Sequence, residues 1–397
     1  MQIRRWISLD ALRGVAALAV VLSHVAEPGD GLESPTAHAP AYRALVGSLA
    51  YGRVGVVLFF VISGFCIHLR WARARATGLT PEVDFASFWR RRLVRLYPPY
   101  LAALILYVAA QSATGQFDWG RDDLYDLGMH LTLLHNLDAR TVYRIDGVFW
   151  TLAIEEQLYL AYFLLLPLRE RLGWPGTLAV CAGARLAWFA LAFAVGQLGT
   201  EFHLIHDSGS PAHWFSWALG AVSVEAAVGL VTLPAWTGRL RCAGLFALAA
   251  LGCDQVTGHH LGGGVAWRLT WLVGSPLWGL AFFVAVNRLI RVEAAWRAAG
   301  RSPSAALRAW AGLGLISYSL YLTHNLVLKQ FGPPILARLG LSYDMGGRLL
   351  LVGPALAFAG LFFLACEKPF LRRANPPGRP GEIVETQENG GSGQKGG

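Results

Sequence analysis

Apolar residues come in long runs along the chain, and short charged segments separate them. A bilayer core takes about 20 mostly apolar residues per helix. Ten segments reach or approach that length, centred on 7–26, 52–70, 97–112, 147–168, 174–196, 211–231, 240–256, 266–287, 310–328 and 347–366. The third and seventh are short, and Pro98 and Pro99 open the third. Proline suits a first helical turn because its missing donor is unpaired there anyway. The pattern predicts an all-α fold, a polytopic transmembrane helix bundle of about ten spans over residues 1–373. A Pro-, Gly- and polar-rich stretch, 374–397, reads as a disordered tail. The longest loops on the side away from the termini are 27–51 and 113–146. The second contains an amphipathic stretch, Asp122–Leu137, suited to lying along a membrane surface. Arg4 and Arg5 before Gly14–Leu22 have the look of a secretion signal, but Asp10 and Arg13 interrupt it and nine more apolar segments follow.

Composition narrows the class. Of 397 residues, 54% are hydrophobic and 15% charged, with mean hydropathy +0.42. Soluble domains average roughly 25% charged. A soluble enzyme, a disordered protein and a disulfide scaffold are thereby excluded. Fifteen Trp and twelve Tyr suit two membrane interfaces. The net charge of +9 lies between apolar segments, where it orients the chain and binds anionic ligands or lipid, so no nucleic-acid partner is expected. Ten crossings put 23 of the 34 Lys and Arg on the side of the termini and eight on the other. That bias predicts that both termini are cytoplasmic. The five cysteines form no CxxC pair and read as buried free thiols. The histidines show no metal spacing, and no metal site is expected.

Charge inside a span is costly and marks function by default. The first span carries Asp10, Arg13 and His24. Arg13 and His24 are eleven residues apart, which at about 100° per residue puts them on one helix face, roughly 16 Å apart. Asp10, three residues before Arg13, can pair with it. A charged flank and an interfacial histidine would account for either residue alone. The fourth span opens Trp150-Thr151-Leu152-Ala153-Ile154-Glu155-Glu156-Gln157-Leu158-Tyr159. Its adjacent glutamates point about 100° apart, so one faces the bundle, near His24 in depth, unless both are a solvated helix start. Gly55, Ser63 and Gly64 in the second span suit close helix packing. Arg91, Arg92 and Arg95, beside Arg90, fall on one side of a helix, and guanidinium forks suit phosphate as well as lipid headgroups. The ninth span carries Tyr318-Ser319-Leu320-Tyr321-Leu322-Thr323-His324-Asn325, lining a polar cavity or an aromatic belt.

Taken in order, these residues resemble the acyltransferase-3 family of integral membrane O-acyltransferases, over about residues 5–372. Asp10 to Gly14 with His24 is similar to the family's arginine, ten residues, histidine motif. Ser63-Gly64-Phe65 is similar to its second-helix motif, and Arg91 to Tyr100 to its RRxxRxxPxY stretch. Trp150 to Tyr159 matches its WSLxxExxFY stretch, with Thr151 for Ser and Leu158 for Phe. Tyr318 to His324 and Glu367-Lys368-Pro369-Phe370 match the family's ending.

The resemblance implies transfer of an acyl group, usually acetyl, from acyl-CoA to a hydroxyl of a sugar, polysaccharide or glycosylated small molecule. The expected setting is the lipid bilayer of a bacterial cytoplasmic (inner) membrane. Some family members carry a fused outer hydrolase-like domain, which is not expected here. The implied catalytic residues are His24, Glu155 and Arg13. His24 would be a general base or an acyl-accepting nucleophile, and Glu155 would orient it. Arg13 would hold a phosphate or the thioester oxygen, or be locked by Asp10. Arg90, Arg91, Arg92, Arg95 and Tyr100 would hold the CoA, with acetyl-CoA the expected donor. Asp10, Ser63, Trp150, Tyr318 and His324 would support the site. A proton-coupled transporter or flippase is the rival class, and the ordered motifs and missing inverted repeats argue against it.

Overall fold

The computed structural model describes residues 6–27, 40–81, 83–197, 208–258 and 265–374. Arg4, Arg5, His203, His206, His259, His260 and the tail from 375 lie outside them. Fifteen α-helices follow one another among the described residues: α1 Ile7–Val25, α2 Pro40–Ala50, α3 Gly55–Ala76, α4 Phe85–Ala113, α5 Arg121–Leu131, α6 Trp150–Gln197, α7 Ser210–Ala227, α8 Leu240–Gly258, α9 Val265–Ala298, α10 Ala305–Leu315, α11 Ser317–Asn325, α12 Gly332–Arg338, α13 Met345–Leu350, α14 Val352–Phe362 and α15 Lys368–Ala374. No strand occurs among the described residues, as the all-α expectation has it.

Six helical stretches among the described residues are long and apolar enough to cross a membrane: Ile7–Val25, Ala44–Ala76, Phe85–Ala113, Trp150–Val195, Leu272–Ala298 and Met345–Leu371. The ten expected segments map onto fewer continuous helices, for local reasons. The fourth and fifth are both in α6, which loses helical geometry at Gly173, with φ of 63° and ψ of −178°. Only glycine takes that backbone freely. The ninth is divided at Ile316 and runs from α11 into a π-helical turn, Leu326–Phe331. The third starts earlier than its prolines suggest. Asp84 caps α4, accepting from the Ser87 amide at 2.7 Å, and the helix runs on through Pro98 and Pro99. Two lost backbone bonds are tolerated where neighbouring helices satisfy the freed carbonyls.

Packing rests on small residues and buried aromatics. A side chain at Gly64 would collide with the Trp217 carbonyl, and one at Gly220 with that of Val61, so α3 and α7 touch backbone to backbone. Gly14 and Gly314 do the same for α1 and α10. Trp217, Tyr162 and Phe65 are fully buried around the contact of α3 with α7. The start of α1 is pinned by Glu293 of α9, which accepts from the Ile7 and Ser8 amides and the Ser8 hydroxyl at 3.1, 2.8 and 2.5 Å. A carboxylate there satisfies orphan amides and complements the helix dipole. The amphipathic 122–137 stretch forms α5 and a short turn. It buries Asp123, Asp126 and His130 and exposes Leu124, Leu131 and Leu134, apolar face outward. All five cysteines are free, with Cys181 buried.

Candidate active site

Two polar clusters lie along α1, one near Arg13 and one at His24. In the first, Arg13 donates from Nη2 to Cys66 Sγ at 3.1 Å, and its Nη1 is 3.6 Å from Asp10 Oδ1. Glu155 faces α3. It accepts from Ser63 Oγ at 2.9 Å and Tyr159 at 2.5 Å, both on Oε1. Trp217 donates to Ser63 Oγ at 3.2 Å and so fixes that hydroxyl. Glu155 is within electrostatic reach of both Arg13 and Arg92. Arg92 lies over the rings of Phe88 and Tyr159, at 5.6 and 5.9 Å, and its buried Nε has no partner. A buried guanidinium nitrogen without an acceptor is expensive, and an anionic ligand would satisfy it. Arg95 and Arg13 both act on the field at Glu367, which accepts from Ser319 at 2.5 Å. A π-helical turn, Phe363–Glu367, ends at that glutamate.

The four expected phosphate-binding arginines therefore divide. Arg92 and Arg95 belong to this cluster. Arg91 faces Asp84, the cap of α4, and Arg90 is exposed. The Tyr100 hydroxyl donates to the His130 carbonyl at 3.0 Å. Tyr318 donates to the Leu96 carbonyl at 2.9 Å, and Trp150 packs against His213. A small cavity, with room for about one water, opens among Tyr97, Tyr100, Glu155, Glu156 and Tyr318.

The second cluster forms at the end of α1. His24 Nδ1 is 2.8 Å from the Val20 carbonyl and 3.3 Å from Nε2 of His324. A carbonyl only accepts, so Nδ1 carries the proton. His324 likewise donates from Nδ1 to the carbonyls of Leu320 and Tyr321, at 3.0 and 2.9 Å, leaving its Nε2 an acceptor. His24 Nε2 therefore holds a lone pair, with Glu27 Oε1 3.5 Å away. Beside His324, Asn325 donates to Asp146 Oδ1 at 2.9 Å. The buried Tyr107 hydroxyl faces Asp146, and Asn325 Oδ1 is buried without a partner. Burial holds the Asp146 carboxyl above its usual range, against the pull of Asn325 and of His24.

The structure does not bring Glu155 to His24. Glu155 bonds to Ser63 and Tyr159, whereas His24 bonds to Val20 and His324. The carboxylates that act on His24 are Glu27 and Asp146. Sequence reasoning singled out neither. Asp146 sits in a polar loop, four residues before α6, and Glu27 two residues past α1, so neither reads as an intramembrane charge. A third buried group, also missed, joins α3, α6 and α7. Glu225 accepts from Arg169 Nε and Nη2 at 2.8 Å each and from Trp174 at 2.8 Å, with His68 Nε2 3.0 Å away. Its oxygens are filled by protein, which marks it as structural.

The profile of a family described as an acyltransferase domain matches residues 6–366. The chain is similar to an acyltransferase named MdmB from Streptomyces mycarofaciens, 26% identical over 388 residues, which cover 92% of this chain and 91% of the relative. It is also similar to ORF330 of the Acidianus two-tailed virus, provisionally named an acetyltransferase. There the match is 28% identical over 167 residues, 42% of this chain and 44% of the relative. No solved structure gives a significant match.

Proposed function

The chain belongs to the acyltransferase-3 family, and we propose that it moves an acyl group, acetyl in the first instance, from cytoplasmic acyl-CoA to a hydroxyl of a sugar, polysaccharide or glycosylated small molecule. In this reading the chain crosses a bacterial cytoplasmic membrane ten times, with both termini inside. Relatives named as acyltransferase and acetyltransferase support the acyl chemistry.

One observation carries the reading. A guanidinium, Arg13, and a histidine with a free Nε2 lone pair, His24, share a single helix, eleven residues apart. That is about 16 Å of rise, the reach of an extended thioester arm. In the charge-derived orientation Arg13 is on the donor side and His24 on the acceptor side. Arg92 and Arg95 would take the phosphates of the CoA, for which guanidinium forks are suited. Arg13 would face the arm, its position set by Cys66 and Asp10. Glu155 would hold Arg13 and Arg92 in place by charge rather than orient His24.

At the far end, His24 Nε2 takes the proton of the acceptor hydroxyl. The oxygen bonds to the acyl carbon, the carbon–sulfur bond breaks, and the electron pair leaves on the CoA sulfur. The proton then passes from His24 to that sulfur. A neutral imidazole nitrogen with a lone pair is suited to taking a proton from a hydroxyl and handing it on. The test is thiol release from acetyl-CoA by the purified protein in detergent, beside His24→Ala. Time-dependent release that the variant loses supports the reading. Wild-type protein that neither binds nor consumes acetyl-CoA or longer acyl-CoAs overturns it.

A further inference from the structure

Glu27 follows α1 by two residues and its side chain is 45% exposed. Its two oxygens face different partners. Oε2 accepts from Lys329 Nζ at 2.6 Å, and Oε1 lies 3.5 Å from His24 Nε2. Arg348 of α13 donates to the Glu27 carbonyl at 2.6 Å and holds the backbone in place. The Nδ1 side of His24 is occupied by Val20 and His324, so the ring presents Nε2 towards Glu27. A neutral ring has only a lone pair on that nitrogen, and a carboxylate has only lone pairs, so they form no hydrogen bond. Once Nε2 accepts a proton, the same separation becomes an ion pair.

We propose that Glu27 is the positioning residue that stabilises His24 in its protonated form during transfer, with Lys329 holding the carboxylate at that distance. The proposal rests on the reading of His24 as the base. No motif of the family resemblance includes Glu27. The carboxylate forms no covalent bond and takes no proton; it lowers the energy of the imidazolium that exists between proton uptake from the hydroxyl and proton delivery to the CoA sulfur. The other groups facing His24 do not replace it. His324 and Lys329 oppose a proton there, and Asp146 is committed to Asn325 and held above its usual range by burial.

The experiment compares full-length wild type, Glu27→Gln, Glu27→Asp, Lys329→Gln, the Glu27→Gln/Lys329→Gln pair and His24→Ala. Thiol release from acetyl-CoA is followed from about pH 5 to 8, the range in which a histidine titrates. In Glu27→Gln, kcat falls about threefold and the acid limb of the profile moves about half a pH unit lower, the scale of a partly exposed ion pair. KM for acetyl-CoA is unchanged, and Glu27→Asp recovers part of the rate. Lys329→Gln removes an opposing charge and moves the limb upward in the Glu27→Gln background; with Glu27 present it moves the limb upward less, because the carboxylate is no longer held at His24. An unmoved acid limb in Glu27→Gln overturns the proposal, and so does a limb that Lys329→Gln moves equally in both backgrounds. In those cases a silent His24→Ala leaves the acyltransferase reading standing. If His24→Ala releases thiol as wild type does, the reading of His24 as the base falls and the Glu27 proposal falls with it, while the consumption of acetyl-CoA stands.

Discussion

Nε2 of His324 lies 3.3 Å from Nδ1 of His24, and the two rings meet edge to face with centroids 4.9 Å apart. His324 is fully buried and its Nδ1 is committed to the carbonyls of its own helix, so its Nε2 can only accept. The pair therefore selects one tautomer of His24, the one whose Nε2 is free to take a proton.

Replacing His324 with phenylalanine keeps a ring in the same space and removes the acceptor. His324→Phe is expected to lower kcat for acetyl transfer about tenfold, the worth of one orienting hydrogen bond, with KM for acetyl-CoA unchanged. Steady-state thiol release checks this. A variant with wild-type kcat would show that the His24 tautomer is set by Val20 alone.

Donor binding should divide between the arginines as the structure divides them. Arg92→Ala and Arg95→Ala are each expected to raise KM for acetyl-CoA about tenfold or more, as loss of a charge-assisted contact does. The increase should be smaller for a donor lacking the 3′-phosphate if that group is the one held. Parallel KM measurements with acetyl-CoA and its dephospho analogue decide it.

The helical class and the candidate polar residues are legible in the sequence because apolar runs and buried charge leave one-dimensional traces. Arg13 and His24 share a face of α1 because eleven residues complete three turns. What pairs with them is not local. Glu155 and Glu156 are adjacent, and only the packing of α6 on α3 decides that Glu155 meets Ser63. His24 finds His324, 300 residues away, because α11 packs on α1. The boundaries were legible where caps exist and obscure where glycine or a π-helical turn breaks a run, as at Gly173 and Leu326–Phe331.

Glu225 is held by three donors on α3 and α6, and taking it away leaves Arg169 and His68 without their acceptor inside the bundle. Glu225→Ala is expected to cost about 3–5 kcal/mol, the scale of a broken buried ion pair. Glu225→Gln should cost less, since its amide oxygen still accepts. Thermal unfolding in detergent, followed by tryptophan fluorescence, measures both. Equal melting temperatures for wild type and Glu225→Ala would mean that the group is not a structural clasp.

Stability should also depend on pH through the 114–149 segment. His135 stacks face to face on His130, with centroids 3.9 Å apart, and both rings are fully buried. Burial, with the neighbouring His130 ring second, holds His135 well below the ordinary histidine range. The unfolded chain binds a proton there below about pH 6.5, and the folded chain does not. The unfolded state then holds more protons, so stability falls as pH drops below that point, by up to about 1.4 kcal/mol per pH unit. Asp123 and Asp138 add a loss at lower pH. Burial acts to raise both, but Asp123 is held below its usual range by the Asp118 amide and Arg144, and Asp138 by Arg140 and Tyr125. Their contribution is present above about pH 4 and is lost as pH falls through and below it. Asp146, held above the usual range, works in the opposite direction at higher pH: it adds stability as pH falls from its raised value towards about 4, and no more below that, so it offsets part of the first loss and not the second. The melting temperature of wild type should thus fall in two stages. His135→Phe, which keeps the stacking, should flatten the first stage, between about pH 6.5 and 5, and leave the second. A variant curve that keeps the wild-type slope across the first stage would show that His135 is protonated in the fold, and that the stacked pair is not what makes this segment sensitive to mild acid.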